Sequence, residues 1–114
     1  PIGFLLELAT LQTLVLTGNE LTGIIPTGLA SFEFLTTLNL FNNELTGPIP
    51  AELGTLSGSI DLSMNRLSGP IPIEWCGLTA SSLTLQSTNS AEMNNLCLPS
   101  GCASSNVGGV TQRC

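Results

Sequence analysis

The side chains best suited to chemistry in this 114-residue chain are four cysteines, Cys76, Cys97, Cys102 and Cys114, all in its last 39 residues. Their even number and close grouping favour disulfides, and four cysteines allow three connectivities that spacing does not separate. A zinc site would need all four thiolates, yet only Cys97 and Cys102 stand at a ligand-like spacing and no Cys-x-x-Cys occurs. A cysteine nucleophile would need a base to take its proton, and the chain has no histidine. Disulfides are the expectation, with no metal and no cofactor.

Carboxylates are the other candidates, and they do not converge. Glu20 and Glu44 stand in equivalent surroundings where Arg66 appears a third time, and Glu52 and Glu74 share another setting after prolines. Such columns read as solvated faces. With no His, Lys or Tyr, acid–base catalysis lacks its usual groups, and the glycines belong to turns instead of a phosphate-binding loop. An enzyme is not expected. The net charge of −6, with only Arg66 and Arg113 positive, also excludes nucleic acid as a natural partner. Mean hydropathy is positive, but no apolar run reaches the roughly 18 residues of a membrane span. The opening PIGFLLELATL lacks the basic start of a signal peptide.

The elements that would position these groups come from a repeat. NELTGIIPTGL (19–29) recurs as NELTGPIPAEL (43–53) and NRLSGPIPIEW (65–75). Leu14, Leu16, Asn19, Leu21, Gly23, Ile25, Pro26 and Leu29 reappear unchanged 24 places later, and the third copy follows at 22, shortened between Leu53 and Ile60. A period of this length on LxxLxLxxN is the leucine-rich repeat signature. The LTGxIP extension resembles the plant-type subclass, found in plant receptor ectodomains and polygalacturonase inhibitors, across about Leu8 to Trp75. The resemblance implies an α/β solenoid of about four coils. A parallel β-sheet would line its concave face, and short 3-10 or irregular turns its convex face.

Position by position the pattern has physical reasons. In LVL, LNL, IDL and LTL the apolar residues alternate, as a strand with one buried face requires. One strand per coil is expected. Asn19, Asn43 and Asn65 follow the strand where an amide can satisfy backbone groups at an inward turn, forming a ladder. Gly23, Gly47 and Gly69 allow positive φ or close approach, and Pro26, Pro50 and Pro72 fix φ where a helical turn begins. After Trp75 the pattern degrades, with Leu83, Leu85 and a displaced Asn89 but no GxIP. Residues 1–75 are therefore assigned to the repeats, and 76–114 to a degenerate last repeat with a cysteine-bearing cap. Cys114 would tie down the tail.

Strand alternation places the variable residues in solvent, and by the resemblance this concave face meets the ligand. One column is Thr13, Thr37, Ser59 and Ser82; a second Val15, Asn39, Asp61 and Thr84; a third Thr17, Phe41, Ser63 and Gln86; a fourth Gly18, Asn42, Met64 and Ser87. Phe41 and the single aspartate, Asp61, stand out as anchors. Four strands present roughly 300 Å² in projection against about 800 Å² per partner in a standard interface. The chain is accordingly read as the C-terminal segment of a longer array, since Pro1 to Phe4 repeats the spacing of Pro26 to Leu29. The expected function is extracellular recognition of a protein, peptide or glycan. Inhibition of a cell-wall hydrolase, and ice binding through the Thr/Ser column, are the alternatives. No Asn-x-Ser/Thr sequon occurs.

Overall fold

A computed structural model describes residues 10–77, 82–86, 94–104 and 106–114. Its strands are β1 (Thr13–Val15), β2 (Thr22–Ile24), β3 (Thr37–Asn39), β4 (Glu44–Gly47), β5 (Ser59–Asp61), β6 (Arg66–Pro70), β7 (Ser82–Thr84) and β8 (Asn95–Cys97). Turns of 3-10 helix follow at Thr27–Ser31, Ala51–Thr55 and Ile73–Gly77. The odd-numbered strands form one parallel sheet in the order β1-β3-β5-β7. Its register sets Leu14 beside Leu38, Leu38 beside Ile60, and Ile60 beside Leu83. Like thus stacks on like, and Leu38, Ile60, Leu62 and Leu85 are buried.

The expectation of one strand per coil needs correction, because each described coil contributes two. The LTG and LSG segments, with Asn95–Cys97 in the fourth coil, form a second parallel sheet, ordered β2-β4-β6-β8. Its strands slip by two places against the repeat, so that Thr22 pairs with Glu44 instead of Thr46, and Thr46 with Arg66 instead of Ser68. Gly23, Gly47 and Gly69 adopt φ of 83°, 81° and 95°, a backbone that only glycine adopts freely, and this turns each strand toward the GxIP bend. Pro26 and Pro50 then sit extended, at φ −67° and −66°, directly before their 3-10 turns. Ile25, Ile49, Ile71, Leu53 and Trp75 point inward and are buried. The Trp75 indole N–H donates to the Ala51 carbonyl of the preceding coil at 3.2 Å.

The asparagines join neighbouring coils as well as turning their own. Asn43 donates through Nδ2 to the carbonyls of Leu16 and Leu40, while its Oδ1 accepts from Asn19 and Leu21 N–H. Asn65 repeats this one coil on, with Leu40 and Leu62 as acceptors and Leu45 N–H as donor. Each amide therefore links the end of one first-sheet strand to the start of the preceding coil's second-sheet strand. Both amides are buried, so these bonds replace water that the turn excludes.

In the fourth coil the ladder position belongs to Asn94, which donates to Leu62 and Leu85 carbonyls and accepts from Leu67 N–H. Asn89 lies outside the described residues. Beyond β8 the chain closes both sheets. The Gly108 carbonyl accepts from Leu85 and Gln86 N–H, where the earlier coils use the carbonyls of Asn39, Asp61 and Thr84. In the second sheet Leu98 N–H donates to Gln112, and Cys114 N–H returns to Leu98. Disulfides join Cys76 to Cys102 and Cys97 to Cys114, with Cα atoms 5.6 and 5.0 Å apart. Arg113 donates to the carbonyls of Cys102 and Ser104, so this guanidinium closes the cap. No helix among the described residues is long and apolar enough to cross a membrane.

Candidate functional site

The face of the β1-β3-β5-β7 sheet brings the sequence-picked columns together in register. Thr13 pairs with Thr37, and Ser59 with Ser82; Val15, Asn39, Asp61 and Thr84 follow one another across the four strands. Thr13, Val15 and Thr17 are exposed, whereas Thr37, Asn39, Ser59, Asp61 and Thr84 are half-buried by their neighbours. Ser87 lies outside the described residues.

Two members of the second column hold the backbone. Asn39 Oδ1 accepts from Phe41 N–H at 3.0 Å and from the Thr17 hydroxyl at 3.2 Å. Asp61 Oδ1 accepts from Ser63 N–H at 3.0 Å and from the Ser63 hydroxyl at 2.6 Å. These are Asx turns, in which a short polar side chain reaches the N–H two residues on as the strand ends. The residue types carried that signal: an Asn and an Asp occupy one column at the last strand position. The sequence reading assigned both to ligand contact alone.

Ser63 requires a correction. Expected on the ligand face, it is 2% exposed, its hydroxyl held by Asp61 and its carbonyl taken by Asn42 N–H. Burial follows from the hydrogen bond, since a serine drawn back onto its own strand end no longer projects. Phe41 and Gln86, in the same column, are half-buried.

The fourth column has a backbone role as well. Gly18, Asn42 and Met64 adopt φ of 68°, 59° and 58°, the left-handed turn that leads into each ladder asparagine. Glycine takes it without strain and asparagine readily, but methionine does not. Glu20 and Glu44, with Gly18, Asn42 and Asn43, line a polar notch of about 220 Å³ at the rim of the face. All four cysteines are in disulfides, and among the described residues no three metal-ligating side chains converge. Among the described residues the face is polar and nearly uncharged, with Phe41 as its aromatic side chain.

Comparisons with known proteins agree with this architecture. A family profile described as Leucine Rich Repeat matches residues 10–32, 34–56 and 59–78. Among solved structures, the receptor kinase HAESA ectodomain of Arabidopsis, in complex with an extended IDA peptide hormone, is similar at 34% identity and TM-score 0.73 over 95% of this chain and 19% of that one. The plant peptide hormone receptor RGFR1, in complex with RGF2, is similar at 33% identity and TM-score 0.69 over 80% and 14%. The BIR2 ectodomain of Arabidopsis thaliana is similar at 35% identity and TM-score 0.67 over 90% and 56%. The chain thus spans from about a seventh to just over half of these ectodomains. No curated protein sequence matches it significantly.

Proposed function

The chain belongs to the leucine-rich repeat family, and from that premise we propose that it is a non-enzymatic recognition module that works outside the cell and binds a protein or peptide across the β1-β3-β5-β7 face. The observation that carries the reading is the face itself: Phe41 half-exposed among polar, mostly uncharged side chains whose strand ends are locked by Asn39 and Asp61. Preset polar groups around an aromatic anchor lower the ordering cost of binding, and aromatic residues dominate interface hot spots. Two of the similar ectodomains are described in complex with peptide hormones, which supports a peptide as the ligand class. The two disulfides support an oxidising compartment. In this reading residues 1–75 supply the repeats and 76–114 the degenerate last repeat and its cap.

The test is selection of random phage-displayed peptides on the disulfide-intact chain. Enriched peptides are expected to lose about 2 kcal/mol, roughly 30-fold in Kd, on Phe41→Ala, and to be weakened by Val15→Asp. They are expected to keep their affinity for Glu52→Ala on the Ala51–Thr55 turn. Thermal unfolding of each variant separates lost binding from lost fold. Peptides indifferent to both concave substitutions would overturn the assignment of this face.

A further inference from the structure

Asn95, Leu96 and Cys97 make the one Asn-x-Cys triplet in a chain without any Asn-x-Ser/Thr, and they form strand β8. Asn95 is exposed and Leu96 is 2% exposed, so the asparagine side chain leaves the sheet on the solvent side. Proline, which would block acceptance, is not at the middle position. Cysteine at the third position supplies an S–H as a weaker hydrogen-bond donor in place of the hydroxyl of Ser or Thr. That S–H exists only until Cys97 pairs with Cys114, 17 residues further on. From this juxtaposition we infer that Asn95 is an acceptor for N-linked oligosaccharide whose occupancy is set by the timing of the Cys97–Cys114 bridge. The inference rests on the extracellular reading proposed above.

The chemistry balances without a redox step. The donor is a lipid-linked oligosaccharide pyrophosphate. Asn95 Nδ2 forms a bond to the C1 of its first sugar and gives up one proton, while the lipid pyrophosphate leaves with the electron pair of the broken C1–O bond. The window comes from chain order. During entry into the secretory compartment, residues 95–97 arrive before Cys114, with the thiol still free and β8 not yet laid against β6. Once the bridge closes, the S–H is gone and the triplet is held extended in register with Ser68, Gly69 and Pro70. The site tolerates the product, because Asn95 projects from β8, the terminal strand in the order of the second sheet.

The experiment is secretion of the whole chain from eukaryotic cells behind a cleavable signal, with the mass of the Asn95 peptide read before and after enzymatic deglycosylation. Wild type is expected to carry glycan on a fraction of molecules, and Asn95→Gln on none. Occupancy is expected to rise in Cys114→Ser, and also in wild type when a mild reductant delays disulfide closure, a treatment that needs no substitution. Glycan on Cys97→Thr while wild type and Cys114→Ser stay bare would overturn the proposal by showing that cysteine is not read here. A bare Cys97→Thr would overturn it by showing that the site is out of reach. Free thiols in secreted wild type would instead remove the extracellular reading, and the proposal with it.

Discussion

The side-chain amides of Asn43 and Asn65, one coil apart, donate to the same acceptor, the Leu40 carbonyl, at 3.0 and 2.9 Å. Asn65 and Asn94 share the Leu62 carbonyl in the same way, at 3.2 and 2.9 Å. Each shared oxygen uses both of its lone pairs, one within its coil and one toward the next.

Removing the middle amide should therefore be costly. Asn65→Ala leaves Leu45 N–H without its partner and strips three buried carbonyls, those of Leu40, Leu62 and Ser63, of one bond each, for a loss of about 3 kcal/mol. Asn19→Ala, at an exposed position whose amide donates to the Thr17 carbonyl among the described residues, should cost less than about 1 kcal/mol. Urea unfolding of the two variants checks this, and equal losses would show that the ladder does not carry the stability assigned to it.

Met64, like Glu20 at φ 56°, is a position where the sequence works against its backbone. With φ at 58° it carries a side chain that disfavours the left-handed region, so Met64→Asn should raise stability by up to about 1 kcal/mol. Asn42→Gly, at φ 59°, should change little by comparison. A lower melting temperature for Met64→Asn would mean that packing of the methionine outweighs the turn.

Gly58, in the shortened stretch between Leu53 and Ile60, lies against the preceding coil. A Cβ there would collide with the Thr36 carbonyl oxygen, the atom that accepts Gly58 N–H at 2.9 Å. Gly58→Ala should destabilise by about 2 kcal/mol through loss or distortion of that bond. Gly28→Ala faces open space at ordinary φ and should be neutral or slightly stabilising. The unfolding midpoints of the pair test close packing against mere glycine removal.

The two disulfides close loops of 26 and 17 residues, so replacing either pair by serine should cost about 3 kcal/mol. They should differ in where the damage appears. Loss of Cys97–Cys114 should speed hydrogen exchange at Leu98, whose partner Gln112 stands two residues from the bridge. Loss of Cys76–Cys102 should act first on the Ile73–Gly77 turn. Uniform exchange in both variants would contradict a cap made of two separable parts.

The first sheet and the ladder were legible because both depend on residue identity at a fixed period: Leu38 and Ile60 face the core, and Asn43 and Asn65 recur in step. The second sheet was not, since Thr22–Ile24 is exposed throughout and shows no apolar alternation, and no residue type marks a two-place slip. Asn94 escaped for another reason. Asn65 follows Leu62 by three places but Asn94 follows Leu85 by nine, so the insertion carried the ladder residue out of phase, and Asn89 looked nearer to register. On the candidate face, Phe41 and Val15 could be picked as outward by alternation, whereas the withdrawal of Ser63 depends on a bond to Asp61 that its polarity does not announce.

The direction of the ladder has a consequence for how the molecule comes into being. Asn43 satisfies Leu21, Asn65 satisfies Leu45 and Asn94 satisfies Leu67, always backward along the chain. A coil leaving the ribosome is therefore unfinished until its successor emerges, and the growing protein stays one coil short of folded throughout synthesis. The last coil has no successor asparagine in the described chain, and the carbonyls of Gly108 and Gln112 take up the free N–H groups at the ends of β7 and β8. Residues 108–114 thus do for the fourth coil what a successor's asparagine does for each earlier one.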